Sequence, residues 1–188
     1  MLIGLMGPQG SGKDTVADYL LSQNPNLVKR SMAEPLKKAC KELFLFNDTQ
    51  LYGTQAQKNE PDPKWFGCSP RTCLQYVGTD LLRDQLEKIM PGIDQDIFIH
   101  HFKLWYTSHS QGYVVVPDIR FQNEVDMIHQ LGGYVIKLTR PRDSDLEKID
   151  KHASEVALES ITNHDWQIIN NGTLEELYRK ANVIMDYF

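Results

Sequence analysis

The sequence predicts an α/β protein in which a parallel sheet of about five strands is flanked by helices. Short apolar runs alternate along the chain with segments whose apolar residues recur at helical spacing. This order is typical of a parallel sheet, because each strand must return by a crossover before its neighbour begins. In addition, the first apolar run leads directly into a glycine-rich turn and then into a helix.

Five apolar runs are the predicted strands. Leu2 to Met6 is uninterrupted, which favours a strand that is buried on both faces, and Tyr113 to Val116 is a second such run. The remaining runs are residues 134–138 and 166–169, together with a weaker one at residues 27–32. We expect the carboxyl ends of these strands to meet at one edge of the sheet, where this class of fold binds its ligands.

Helices are predicted where apolar residues share one face between these runs, and several carry end signals. Prolines near helix starts, a glycine pair after a helix and a T-x-x-E capping box are such signals. The predicted positions are after the glycine-rich turn, at Pro35, after Ser69-Pro70, over residues 96–108, before Gly132-Gly133 and from the capping box Thr173 to Glu176.

Two polar segments interrupt this alternation. Residues 47–70 are rich in turn formers and predict a long loop, which is often functional in a compact domain. Residues 140–164 are charged and show no clear strand, which predicts a lid. We therefore expect a single domain over residues 1–188 with an insertion region at 47–95 and a lid region at 140–164.

The composition excludes several classes of protein. With 41% hydrophobic and 24% charged residues the chain is typical of globular proteins, and its net charge of −5 argues against binding to nucleic acid. The three cysteines are predicted to be reduced thiols, since neither a disulfide framework nor a zinc-ligand spacing is present. Without a signal peptide or an apolar run of membrane length, we expect a cytoplasmic protein with no membrane association. A homodimer stays open.

The strongest motif is the glycine-rich turn itself, Gly7 to Thr15, which fits G-x-x-x-x-G-K between a strand and a helix. Glycines let successive backbone N–H groups turn toward a phosphate, and the helix N-terminus adds its free N–H groups and its dipole. We expect the amides of Gly10, Ser11 and Gly12 and the side chain of Lys13 to hold a nucleoside triphosphate. A glycine-rich turn without a ligand is the alternative.

Asp14 departs from the usual form of this motif, in which Ser or Thr follows the lysine and binds Mg²⁺. The hydroxyl comes one residue later, so Thr15 is the predicted hydroxyl ligand of Mg²⁺. Asp14 has three roles open to it: it can organise metal-bound water, face an acceptor, or stabilise the helix N-terminus by its charge.

Charged side chains also follow two predicted inner strands. Asp118 is predicted to hold Mg²⁺ through a water molecule by its carboxylate. Arg120 lies two residues later, so its side chain points to the same face as that of Asp118 if the strand continues. Arg140 and Arg142 stand where the predicted lid begins and can bring positive charge onto transferring phosphates. The alternatives are a surface ion pair for the first two residues and a solvated loop for the lid.

A phosphate-binding loop alone leaves kinases, ATPases and GTPases open. The sequence contains no N-K-x-D motif of the kind with which GTPases read the base. The candidate arginines favour a kinase, because a kinase needs cations around the group that it transfers.

The ordered set of motifs resembles the phage-type deoxynucleoside monophosphate kinases over most of the chain. The elements are G-K-D-T at 12–15, M-A-E-P-L-K at 32–37, S-P-R at 69–71, L-Q-Y-V-G-T-D at 74–80, V-P-D-I-R at 116–120, H-A-S-E at 152–155 and N-G-T-L-E-E-L at 171–177. The last element is shared with dephospho-coenzyme A kinases, whereas the order of the whole set is specific.

This resemblance implies a P-loop kinase fold and ATP-dependent phosphorylation of a deoxynucleoside monophosphate (dNMP), which gives dNDP and ADP. It assigns Lys13 and the loop amides to ATP and places either Asn170 or Asn171 near the adenine. Arg140, where the predicted lid begins, is a further candidate for ATP on its position alone. Arg71 and Arg120 are implied at the acceptor phosphate, and Gln75 and Asp80 near the acceptor nucleoside. The full set of candidate acceptor residues is Asp14, Lys37, Arg71, Gln75, Asp80 and Arg120.

The phosphate of a nucleoside monophosphate is already ionised at pH 7, so such a reaction needs no general base. We expect Lys13, Arg120 and Arg140 to stabilise charge on the transferred group while Asp118 orients Mg²⁺. Three alternatives stay open: a dephospho-coenzyme A kinase, a kinase with a hydroxyl acceptor and Asp14 as its base, and a non-catalytic ATP-binding module.

Overall fold

The computed structural model describes residues 1–109, 112–141, 158 and 160–187, and the chain divides into two compact units. The first unit consists of Met1–Met32 together with Lys103–Phe188, and the second consists of Ala33–Phe102. Among the residues that are described, no helix is long and apolar enough to cross a membrane.

The first unit contains a five-stranded parallel sheet, which confirms the predicted fold class. Its strands are β1 (Leu2–Met6), β2 (Leu27–Lys29), β3 (Tyr113–Ile119), β4 (Tyr134–Thr139) and β5 (Trp166–Ile169), in the order β2-β3-β1-β4-β5. β1 lies at the centre, and all five of its residues are buried. Burial on both faces accounts for its uninterrupted apolar sequence.

The helices follow the predicted periodicity. Those whose bounds are described are α1 (Lys13–Gln23), α2 (Glu34–Phe44), α3 (Asp48–Tyr52), α4 (Gln55–Asn59), α5 (Pro70–Gln75), α6 (Ile97–His109), α7 (Gln122–Gln130) and α8 (Leu174–Met185). The capping box before α8 is present, because Thr173 Oγ1 accepts from the Glu176 N–H and Glu176 accepts from the Thr173 N–H. Both bonds satisfy N–H groups that the helix itself leaves unpaired.

Helices α1 and α8 cover one face of the sheet and pack against each other. The rings of Tyr19 and Tyr178 stack with their centroids 4.0 Å apart, and Asn182 Nδ2 donates to the Tyr19 hydroxyl at 2.7 Å. The buried residues of this core are Ile3, Leu5, Val16, Ala17, Leu20, Leu27, Val115, Ile136, Leu138, Ile168, Leu177, Ala181 and Ile184. This packing holds α1 in place, and with it the turn that precedes α1.

Helix α7 packs on the opposite face. The connections from β1 to β2 and from β3 to β4 run in opposite directions across the sheet, so right-handed crossovers place α1 and α7 on opposite sides. Gly4 allows the close approach, since a Cβ there would lie 3.0 Å from Ile119 Cγ1 and 3.3 Å from Ile128 Cγ1.

Two strands differ in length from the prediction. β2 ends at Lys29 rather than at residue 32, whereas β3 continues beyond Val116 to Ile119. The register between β1 and β3 shifts at this extension, where Gly4 pairs with Val116 but Met6 pairs with Ile119. The shift accommodates Pro117, which has no N–H to give to the ladder.

The second unit is built from helices, and here the prediction of a loop over residues 47–70 is wrong. The segment contains α3, α4 and a 3₁₀ helix at Pro63–Trp65. Asn47 and Thr54 each form a capping box with the glutamine three residues later, and these caps stabilise helices of only five residues. The helix predicted after Ser69-Pro70 is present: it begins as α5 and passes directly into a π-helix at Tyr76–Leu81.

Candidate active site

The glycine-rich turn joins β1 to α1 at the carboxyl edge of the sheet. Gly7, Gly10 and Gly12 adopt positive φ angles of 146°, 77° and 104°, which side chains with a Cβ rarely tolerate. Space is restrictive as well: a Cβ on Gly7 would lie 2.1 Å from the carbonyl oxygen of Leu138. These backbone conformations are of the kind that present N–H groups to an anion, while the Ser11 N–H donates to the Pro8 carbonyl at 3.2 Å.

Lys13 is the first residue of α1, and it is buried, with 8% of its surface exposed. Its Nζ donates to the carbonyl oxygens of Gly7 at 2.7 Å and Pro8 at 2.8 Å, and to Ser11 Oγ at 3.4 Å. These contacts hold the ammonium group inside the turn. An anion that binds there offers Lys13 charged oxygens in exchange for neutral carbonyls, which gives stronger hydrogen bonds.

Asp14 and Thr15 follow in the first turn of α1, where Thr15 is partly buried. The Asp14 side chain is 82% exposed, and its Oδ1 lies 3.5 Å from Lys29 Nζ, which also pairs with Asp18 at 2.7 Å. Burial acts to lower the pKa of Lys29, but the hydrogen bond to Asp18 and the charges of both carboxylates outweigh it and raise that pKa. The geometry thus adds an ion pair to the roles open to Asp14.

Asp118 lies in β3, one residue before the end of the strand. Its carboxylate accepts hydrogen bonds from the Ser31 hydroxyl at 2.5 Å and from the Met32 N–H at 2.8 Å. It therefore fastens the chain that follows β2 to the end of β3. These bonds orient both carboxylate oxygens, and a metal ion held by Asp118 would have to use the lone pairs that they leave.

Arg120 directly follows β3, and a buried acid holds its backbone. Glu124, 2% exposed in the first turn of α7, accepts from the N–H of Arg120 at 2.7 Å and from the N–H of Phe121 at 3.2 Å. Burying a carboxylate is costly unless it is hydrogen-bonded. Glu124 thus both caps α7 and fixes the backbone from which the Arg120 side chain extends.

The ends of β4 and β5 lie on the other side of the central strand. Arg140 is exposed immediately after β4, and Asn170 and Asn171 follow β5. Asn170 is buried, and its Nδ2 donates to the Ser11 carbonyl at 3.0 Å, whereas Asn171 is exposed and accepts from Lys180 at 2.9 Å. Of the two asparagines, only Asn170 contacts the glycine-rich turn among the described contacts. Arg142 and the H-A-S-E element lie outside the described residues, as does most of the predicted lid.

The second unit contains four of the predicted acceptor residues. Arg71 and Gln75 are four residues apart on α5, which places them on one face of that helix. Arg71 Nη2 donates to Gln55 Oε1 of α4. Lys37 Nζ lies 4.8 Å from the centre of the Tyr52 ring, and Asp80 is exposed in the π-helix.

Three residues that organise these positions were not predicted from the sequence: Ser31, Lys29 and Glu124. The signal for Glu124 was available, since an acid three residues into a predicted helix is a capping position. Ser31 and Lys29 act on residues distant in sequence, and their partners follow only from the sheet order.

Comparison with known proteins identifies the family. A family model described as deoxynucleotide monophosphate kinase matches residues 54–181. A protein of Acanthamoeba polyphaga mimivirus, provisionally named deoxynucleotide monophosphate kinase, is 55% identical over 190 residues, covering 99% of this chain and 96% of its own. The chain belongs to the deoxynucleotide monophosphate kinase family. The deoxynucleotide monophosphate kinase of Enterobacteria phage T4 is 26% identical over 246 residues, covering 95% of this chain and 96% of its own.

A solved structure shares the fold. The crystal structure of TT1252 from Thermus thermophilus aligns with a TM-score of 0.53 at 16% identity, covering 100% of this chain and 97% of that one. Membership of the family confirms the expectation of a nucleoside monophosphate kinase and does not favour the dephospho-coenzyme A alternative.

Proposed function

We propose that this enzyme transfers the γ-phosphoryl group of ATP to the phosphate of a dNMP, giving ADP and dNDP. The observation that carries the proposal is the buried ammonium group of Lys13 inside a turn of positive-φ glycines, at the start of α1. This arrangement suits a polyphosphate, because inward N–H groups, a helix N-terminus and a lysine all favour bound negative charge.

The donor half of the reaction rests on residues of the first unit. We assign the triphosphate to Lys13 and to the backbone of Gly10, Ser11 and Gly12, with Arg140 as a further cation at the end of β4. The exposure of Arg140 leaves its guanidinium free to reorient toward a ligand.

Mg²⁺ fits the donor set in chemical terms. The hydroxyl of Thr15, two residues after Lys13, and the carboxylate of Asp118, close to the end of β3, are the hard oxygen ligands that Mg²⁺ prefers. When bound, the ion neutralises charge on the phosphates. Asp118 keeps its orientation through Ser31 and Met32.

The acceptor half is assigned to Arg71 and Arg120 for the phosphate, with Lys37, Gln75 and Asp80 as further candidates. Arginine suits a phosphate because its planar fork can make two parallel hydrogen bonds. The backbone anchor on Arg120 supports this role, since Glu124 limits how far that residue can move.

Catalysis needs positioning and charge neutralisation and no general base. The acceptor oxygen is ionised at neutral pH, so no proton has to leave it before attack. The roles of Lys13, Arg120 and Arg140 are then to stabilise charge on the transferred group.

A coupled assay of ADP release tests the proposal. The enzyme is incubated with ATP, Mg²⁺ and one acceptor at a time: each dNMP, each ribonucleoside monophosphate, dephospho-coenzyme A, or none. We expect turnover that depends on one or more dNMPs. Release of ADP only with dephospho-coenzyme A, or at the same rate without an acceptor, would contradict the proposed function.

A further inference from the structure

Asn170 is a buried polar residue that contacts the glycine-rich turn from a distant part of the chain. It directly follows β5, and its backbone N–H donates to the Thr139 carbonyl of β4 at 2.7 Å. Only 8% of the residue is exposed, and its side-chain Nδ2 donates to the Ser11 carbonyl at 3.0 Å. The sheet thus fixes the backbone of Asn170, and the side-chain hydrogen bond of Asn170 in turn limits the movement of the Ser11 carbonyl.

The contact determines the orientation of one peptide group in the turn. The peptide between Ser11 and Gly12 is trans, as are the other peptide bonds in the described part of the chain, so its Ser11 carbonyl and its Gly12 N–H point in opposite directions. Because Asn170 holds the carbonyl oxygen on its own side, the Gly12 N–H must point away from Asn170. The Asn170 amide lies so close to Gly12 that a Cβ at this position would be 2.8 Å from Asn170 Nδ2, so only glycine fits there.

The Ser11–Gly12 peptide is also connected to Lys13, through the side chain of Ser11. The Ser11 N–H donates to the Pro8 carbonyl at 3.2 Å, and Ser11 Oγ accepts from Lys13 Nζ at 3.4 Å. Rotation of the Ser11–Gly12 peptide would therefore disturb both the turn and the lysine contacts.

We propose that Asn170 is a positioning residue that holds the Ser11–Gly12 peptide so that the Gly12 N–H serves the triphosphate of the donor nucleotide. The proposal rests on the proposed function only in taking the ligand of this turn to be a triphosphate. It differs from the adenine contact that the family resemblance implies, because Asn170 acts on the phosphate end of the ligand through the loop backbone.

The chemistry of the asparagine amide is essential to this role. Asn170→Asp keeps the shape but replaces the donor with a carboxylate oxygen, which would face the Ser11 carbonyl as a second acceptor. Asn170→Ala removes the donor and leaves a buried carbonyl without that partner, a loss that proteins tolerate poorly. Both variants release the constraint on the peptide, and the aspartate also repels it.

Calorimetric binding of ATP and of inorganic tripolyphosphate, without an acceptor, tests the proposal. We expect Asn170→Asp to weaken both ligands by about 10- to 100-fold and Asn170→Ala by a smaller factor of the same kind. Asn26→Asp is the matched control, since it makes the same chemical change at an exposed residue before β2, and it should bind both ligands normally. In turnover, the KM for ATP should rise while the KM for dNMP stays unchanged.

The outcomes separate this proposal from its alternatives. A loss confined to ATP, with normal binding of tripolyphosphate, would show an adenine contact and overturn the positioning role. Equal increases in the KM for ATP and in the KM for dNMP would indicate general damage to the fold and would also overturn the positioning role. Should Asn170→Asp fail to fold, Asn170→Ala decides by the same comparison. Wild-type enzyme that binds tripolyphosphate without phosphorylating any dNMP would refute the proposed function alone, whereas failure to bind either ligand would refute both.

Discussion

The substitution Gly7→Ala tests whether the backbone geometry of the glycine-rich turn holds the donor site together. Gly7 has a φ of 146°, and a Cβ there would lie 2.1 Å from the Leu138 carbonyl oxygen in β4. Relief of this clash requires the turn and β4 to separate by roughly 1 Å. The Gly7 carbonyl also accepts a hydrogen bond from Lys13, so the shift moves the charge that we assign to the phosphates.

The expected loss of stability has two parts. An alanine forced to a φ of 146°, far outside the left-handed region that side chains occasionally adopt, loses about 1–3 kcal/mol relative to glycine. Crowding against the backbone of strand β4 adds about 1–3 kcal/mol. Gly132→Ala is the matched control in the same unit, because Gly132 has a φ of 72° and nothing lies within 4 Å of its Cβ position. It should lose only about 1–2 kcal/mol for its left-handed backbone, so the larger loss in Gly7→Ala measures the clash together with the greater backbone strain at φ 146°.

Urea unfolding, followed by tryptophan fluorescence and circular dichroism, measures both losses. ATP binding is measured by calorimetry at a temperature where both variants are folded. We expect Gly7→Ala to unfold at lower urea than Gly132→Ala and to bind ATP more weakly than either Gly132→Ala or the wild type. Equal midpoints for the two variants, or unchanged ATP affinity in Gly7→Ala, would show that the close contact between Gly7 and Leu138 does not hold the donor site together.

Three further predictions concern single side chains. Lys13→Ala should lower kcat by at least about 100-fold, because it removes the positive charge that stabilises the transferred phosphoryl group. Lys88→Ala, at an exposed lysine, should leave steady-state turnover unchanged. Glu124→Ala should reduce the free energy of unfolding in urea by about 1–2 kcal/mol, since two N–H groups at the start of α7 lose their cap, and Glu124→Gln should recover most of it. Burial and the neighbouring Cys68 raise the pKa of Cys73 to about 12, so the reactive thiolate is scarce there at mildly alkaline pH. Peptide mass spectrometry after alkylation of the folded, reduced enzyme should therefore find Cys68 labelled well before Cys73.

Each of these has a contrary result. Near-normal kcat in Lys13→Ala would remove the lysine from the mechanism. If Glu124→Gln lowers the free energy of unfolding as much as Glu124→Ala does, the charge of Glu124 contributes more than its hydrogen bonds to the start of α7. Equal labelling of the two cysteines would mean that the Cys73 thiol is neither protected nor protonated as the structure indicates.

Much of the fold could be predicted because its local signals agree with its tertiary structure. The apolar run at Leu2 to Met6 is buried on both faces, and the capping box at Thr173 forms as expected. The short helices in the segment 47–70 could have been predicted too, because Asn47 and Thr54 each precede a glutamine by three residues. Polar composition outweighed that signal in the prediction of a loop.

The parts that could not be predicted depend on contacts between distant residues. The sequence does not reveal which of two adjacent asparagines is buried, since that depends on how the chain leaves β5 and on the neighbouring turn. Nor does it show that Asp118 binds the chain after β2, because the pairing of β2 with β3 brings Ser31 and Met32 to it. The glycine-rich turn was predictable as a motif, whereas its tight contact with Leu138 was not.

Transfer of labelled phosphate tests most directly whether the enzyme phosphorylates a dNMP. Enzyme is incubated with ATP labelled at the γ-phosphate, Mg²⁺ and each dNMP, and the products are separated by chromatography. We expect label to appear in a dNDP in an amount that matches the ADP formed, and we expect Lys13→Ala nearly to abolish this transfer. Label found only as inorganic phosphate, or in dephospho-coenzyme A and in no dNMP, would contradict the proposed function.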